Sequence, residues 1–138
     1  MFWRTKKPVI ESTINTLIGV STRIEGDVHF NEGLRIDGHV KGNVIADPSQ
    51  HALLVISETA KVEGEVRATH LVVNGEIVGP VFSSERLELQ QKARLTGNVT
   101  YKVLEVRSGA QLSGELIAEQ NGKPGLKLAP IKSALTGT

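Results

Sequence analysis

The chain contains no cysteine, so a disulfide framework and a thiolate metal site are both excluded. The absence fits a reducing compartment. Aromatic residues make up only 4% of the sequence, too few for a sandwich built around large rings. Any core must therefore be filled by Val, Ile, Leu and Ala. Long apolar runs are also missing. The longest, Ala52 to Ile56, falls far short of the roughly 20 residues a membrane-spanning helix needs. The start of the chain is basic, like a secretory signal. However, Glu11, Ser12, Thr13 and Asn15 interrupt the stretch where its apolar region should lie. The expectation is a mature chain beginning at Met1 that stays in the cytoplasm.

No strong excess of one charge marks the body of the chain. Residues 12–118 carry 10 Lys/Arg and 13 Asp/Glu, and both tails are basic. A nucleic-acid-binding body would show a basic face, so nucleic acid is not an expected partner. At 138 residues the length suits one domain.

What is present is a repeat. A phrase centred on glycine runs Ile24-Glu25-Gly26-Asp27-Val28, Val40-Lys41-Gly42-Asn43-Val44 and Val62-Glu63-Gly64-Glu65-Val66. It continues as Ile77-Val78-Gly79-Pro80-Val81, Leu95-Thr96-Gly97-Asn98-Val99 and Leu112-Ser113-Gly114-Glu115-Leu116. The glycines are 16, 22, 15, 18 and 17 residues apart. That period is too short for a helical pair and suits one coil of a β-solenoid.

Each phrase follows a shorter one of apolar-x-apolar form: Ile18/Val20, Leu34/Ile36, Leu54/Ile56, Leu71/Val73, Leu87/Leu89 and Leu104/Val106. Such alternation puts one side chain inward and the next outward, the period of a strand. The joins vary in length, as expected of rungs whose extra residues bulge outward. The stretch from Ala46 to His51 is the clearest bulge. The glycines either supply positive φ at a corner or let the backbone pinch inward. The corner is favoured because Asp, Asn or Glu follows five of the six. A left-handed hexapeptide helix, as in acyltransferases, fits poorly because the joins do not keep multiples of six. The fold expected is all-β: a single-domain solenoid of about six coils over residues 12–118, with tails at 1–11 and 119–138.

The six phrases from Ile24-Glu25-Gly26 to Leu112-Ser113-Gly114, with the basic-aromatic leader and low-complexity tail around them, resemble the bactofilins. The resemblance implies a right-handed parallel β-helix that assembles, without nucleotide or other cofactor, into non-polar filaments. It also implies filaments peripheral to the cytoplasmic face of the inner membrane that position cell-wall or morphogenesis proteins.

A solenoid must hide or pair its terminal rungs, because an uncovered rung is a row of free backbone donors and acceptors. Soluble monomeric solenoids carry polar caps, and no amphipathic helix flanks this repeat. Both ends are therefore expected to meet other copies of the chain. The expected contacts are Ile14, Leu17, Ile18 and Val20 at one end and Leu104, Val106, Leu112 and Leu116 at the other.

The leader Met1-Phe2-Trp3-Arg4-Thr5-Lys6-Lys7-Pro8 sets the only Trp beside a Phe and three cations. Large rings settle at the headgroup level and cations favour an anionic leaflet. Met1, Phe2, Trp3, Arg4, Lys6 and Lys7 are thus the expected lipid contacts. The Pro- and Gly-containing tail cannot build a core and is expected to be disordered, with Leu126, Leu128 and Ile131 left either to dock on a partner or to fold back over the last coil.

Catalytic and metal-binding patterns are not evident. His29, His39, His51 and His70 lack helical spacing and convergent carboxylates, and solvated histidines are the expectation. Asp27, Glu65 and Glu115 share one point of the repeat, but Asn43, Pro80 and Asn98 occupy the intervening copies, so a solvated edge is expected. No glycine-rich phosphate loop opens a helix. The reading is a non-enzymatic scaffold. The alternatives are a β-helix acyltransferase and a polysaccharide-binding module.

Overall fold

The computed structural model describes residues 14–120 and 123–127. All regular structure in them is β, and most strands are three to five residues long. The first coil contains β1 (Thr16–Ile18), β2 (Arg23–Glu25) and β3 (Val28–Phe30), and the second β4 (Glu32–Ile36), β5 (His39–Lys41) and β6 (Val44–Ala46). Then come β7 (Ala52–Ile56), β8 (Lys61–Glu63) and β9 (Val66–Val73), whose second half opens the fourth coil. That coil continues through β10 (Glu76–Val78) into β11 (Val81–Leu89), which likewise runs on into the fifth. β12 (Arg94–Thr96) and β13 (Val99–Tyr101) complete the fifth, and β14 (Val103–Val106), β15 (Gln111–Ser113) and β16 (Leu116–Gln120) form the sixth. A last strand, β17 (Lys123–Lys127), follows.

Each coil thus has three strand runs, and every run pairs in parallel with its equivalent one coil away. The result is a parallel β-solenoid of about six coils. At about 4.8 Å per coil its body is about 29 Å long.

The register explains why the two phrases recur. The short phrase supplies Leu34, Leu54, Leu71 and Leu87, stacked in one column, and Ile36, Ile56, Val73 and Leu89 in the next. All are fully buried. The residues two before the glycine form the column Ile24, Val40, Val62, Ile77, Leu95 and Leu112. The residues two after it form Val28, Val44, Val66, Val81, Val99 and Leu116. Each fully buried side chain is worth about 1.5–3 kcal/mol.

In the first coil the register departs from the sequence reading. Thr16 pairs with Leu34 and Ile18 with Ile36, so the inward pair is Thr16/Ile18 and not Ile18/Val20. Val20 lies beyond the strand, 67% exposed. A polar residue stands at the first inward position, where no coil among the described residues covers it. The apolar pattern therefore slides by two.

The glycine phrase bends at its centre, with one strand ending before the glycine and the next beginning after it. The ladder survives the bend: Gly42 N–H donates to the Glu63 carbonyl at 3.0 Å and Val44 N–H to the Glu65 carbonyl at 2.8 Å. The glycines serve both suggested purposes at once. Gly114 has φ +152°, and a Cβ there would lie 2.0 Å from the Gly97 carbonyl oxygen. The residue after the glycine stitches the corners together. Asp27 Oδ1 accepts from Asn43 N–H at 3.0 Å, and Asn43 Oδ1 accepts from Glu65 N–H at 2.8 Å.

The bulge after Ala46 is a structured loop. Asp47 Oδ1 accepts from both the N–H and the hydroxyl of Ser49, at 3.0 and 2.8 Å, and these bonds hold its carboxyl below the ordinary value, that from the N–H most.

Candidate self-assembly interface

The two ends of the solenoid differ. At the N-terminal tip, β1, β2 and β3 each pair on one side only, with β4, β5 and β6. Among the described residues their outer edges meet no strand. The inward side chains of that coil, Ile24, Val28 and Phe30, are only partly buried although they pack on the core. They form an apolar end face bounded by free backbone groups, the arrangement that templates a further strand layer.

The expected contacts at this end fall in three places. Ile14 is 40% exposed and Val20 67%, both beside the tip, while Ile18 is buried in the core. Leu17 is 59% exposed but stands on the outward line shared with Arg35 and Val55, on the flank of the solenoid. Sequence reasoning passed over Ile24, Val28 and Phe30. Their signal was position: Ile24 and Val28 belong to the first copy of the phrase and Phe30 directly follows it, so no earlier copy covers them.

At the C-terminal tip, among the described residues, β14 pairs only with β11 and β15 only with β12. Leu104 and Val106, inward on β14, are half-buried, whereas Leu112 and Leu116 are buried. The third edge is taken. β16 pairs in parallel with β13 and, on its other side, antiparallel with β17, through Ile117 opposite Lys127, Glu119 opposite Pro124 and Gln120 opposite Lys123. Of the tail expected to be disordered, residues 119–120 therefore belong to β16 and 123–127 fold back over the last coil. The remainder of that tail and the lipid contacts Met1, Phe2, Trp3, Arg4, Lys6 and Lys7 lie outside the described residues.

The flanks carry ion pairs between neighbouring positions. Lys92 Nζ lies 2.9 Å from Glu58, Arg35 Nε 2.9 Å from Asp37, and Arg86 pairs with Glu105. Such exposed pairs contribute about 0–1 kcal/mol each. His29 and His51 are exposed, as the solvated expectation has it, whereas His39 and His70 are partly buried; three of the four lie near a carboxylate. His39 Nε2 is 2.7 Å from Glu63, His51 3.8 Å from Glu85 and His70 3.5 Å from Glu88. The first is a hydrogen bond and the main cause of the lowered pKa of Glu63. The last lacks hydrogen-bond geometry, so both buried ring nitrogens of His70 go without a hydrogen-bond partner. Each of these three meets one carboxylate, and no cluster of three metal-ligating side chains occurs among the described residues.

Beside the bulge runs a groove of about 330 Å³ lined by Pro48, Arg67, Phe82, Ser84 and Thr100 among others. Arg67 covers the Phe82 ring at 4.0 Å. No helix among the described residues is long and apolar enough to cross a membrane.

Residues 16–117 match the bactofilin family, described as polymer-forming cytoskeletal. The chain is similar to bactofilin BacO of Myxococcus xanthus (strain DK1622), with 28% identity over 102 residues covering 74% of this chain and 78% of BacO. It is also similar to bactofilin BacP of the same organism, with 26% identity over 74% of this chain and 41% of BacP. No solved structure matches it. A parallel solenoid with open rungs, matched along nearly its whole length, places this chain in the bactofilins, a family of polymer-forming cytoskeletal proteins.

Proposed function

We propose that the chain is a structural scaffold that stacks end to end, coil upon coil, into filaments that need no nucleotide. One observation carries this reading: at the N-terminal tip, three strand edges that meet no strand among the described residues surround a half-buried apolar face of Ile24, Val28 and Phe30. Pairing that tip with another copy satisfies the backbone groups and buries the face in one step. The family's polymer-forming character agrees with it. Filaments then rest on the cytoplasmic face of the inner membrane through the leader Met1 to Pro8. Each leader binds weakly, and repetition along a filament makes the attachment firm. Morphogenesis or cell-wall proteins are the class of cargo such a track positions, and no enzymatic role is assigned to it.

The test is Ile24→Arg, which puts a cation on the tip at the one partly buried member of its column. The variant is expected to keep its β-sheet circular dichroism and to sediment as short soluble species. Long filaments from a folded Ile24→Arg chain, seen by negative-stain microscopy, would remove the N-terminal tip from the account.

A further inference from the structure

Among the described residues, every strand pairing is parallel except one, between β16 and β17. The exception stands at the C-terminal tip, on an edge that the repeat would otherwise leave open like those of β14 and β15. We propose that β17 is a displaceable cap, which occupies the β16 edge until the edge of a second copy of this chain takes its place. The inference rests on the end-to-end reading and adds to it how growth at this tip is held back.

The composition of β17 suits a strand that holds an edge without holding it tightly. Pro124 has no N–H and cannot donate to the ladder, and Gly125 contributes no side chain to pack. Lysines stand at both ends, at positions 123 and 127. Lys and Pro are the residues by which natural sheets blunt an edge against further pairing. The register is also irregular between Ile117 and Glu119, so the pairing is not continuous along the strand.

The cap is nevertheless favoured in a dilute solution. Gln120 faces Lys123, so only two residues of chain separate the paired positions. A strand tethered that closely has an effective concentration on the order of mM, far above that of free chains at micromolar levels. A second copy wins only by engaging β14 and β15 as well. Those edges are open, and Leu104 and Val106 are half-buried beside them. Displacement is therefore tied to correct docking of a whole tip, and a stray extended segment offering one strand does not achieve it.

The absence of native cysteine permits a direct test. In full-length Ile117→Cys/Lys127→Cys the only possible disulfide within one chain joins β16 to β17 across an observed pair. Under oxidation the variant is expected to remain as short species, with a critical concentration at least about tenfold higher than after reduction. Reduction is expected to restore assembly like that of the unsubstituted chain. A second variant ending at Gln120 should assemble with a shorter lag and a critical concentration about threefold lower.

Equal assembly of the oxidised and reduced forms would overturn the cap. So would failure of the disulfide to form, or covalent dimers in place of an internal bond, since β17 would then act elsewhere or in trans. If the reduced variant and the unsubstituted chain both stay monomeric, the end-to-end reading is rejected and the cap falls with it.

Discussion

Gly64 sits against the backbone of Gly42, so close that a Cβ on Gly64 would lie 2.2 Å from the Gly42 carbonyl oxygen. The contact recurs up the solenoid at Gly79 and Gly97, giving a column in which each glycine makes room for the next. Gly26 begins the column. It has φ +133° but nothing within 4 Å of its Cβ position.

That difference separates two costs. Gly64→Ala meets both the unfavourable φ and the clash, and is expected to destabilise the chain by about 3 kcal/mol or more. Gly26→Ala meets the φ term alone, about 1–3 kcal/mol. Thermal melts of the two variants check the order. Equal losses would mean that the column is not close-packed.

The corner ladder predicts a second contrast. Asn43→Ala removes the acceptor for Glu65 N–H and is expected to lower stability by about 1 kcal/mol. Asn43→Asp keeps an oxygen in place and should lose less at neutral pH. If the two variants melt alike, the Asn43 side chain does not support the corner.

Acid should weaken the fold in a defined direction. Hydrogen bonds hold three carboxyls below their ordinary values: Asp37 chiefly through Ser57, Asp47 through Ser49 N–H, and Glu63 through His39. A carboxyl lowered on folding adds stability that is present above its unfolded value, about 4, and is lost as pH falls through the folded value. The melting temperature is therefore expected to fall below about pH 4, and less steeply in Glu63→Gln. A melting temperature that rises on acidification contradicts these assignments.

The leader is tested at the lipid. Removal of residues 1–8 is expected to reduce co-sedimentation of assembled protein with anionic liposomes by about tenfold or more, because each of many weak anchors is lost. Undiminished binding would place the lipid contact elsewhere.

The solenoid was legible because each inward column is a repeated residue type. Four leucines stack at Leu34, Leu54, Leu71 and Leu87, and five valines follow the glycines from Val28 to Val99. The ends were harder to read, since a pattern is anchored by its neighbours and a terminal coil has neighbours on one side only. Thr16 therefore escaped notice, and Val20 took its place in the reading. Ile24, Val28 and Phe30 looked like ordinary core, because nothing within one phrase says that it is the first.

The fold-back of β17 was one of two outcomes left open for the tail. Pro124 and Gly125 weighed towards disorder, and composition does not show that β16 offers a free edge to pair with. The ion pairs of His39, His51 and His70 join residues 24, 34 and 18 positions apart. They become visible only once the coils are laid one over another.

Fibre diffraction from aligned filaments of the full chain, prepared without nucleotide, tests the central claim most directly. Coils stacked from copy to copy place the strands across the filament, so a reflection at about 4.8 Å should lie along the filament axis. The same reflection across the axis, or a preparation that stays monomeric at high concentration, would contradict end-to-end stacking.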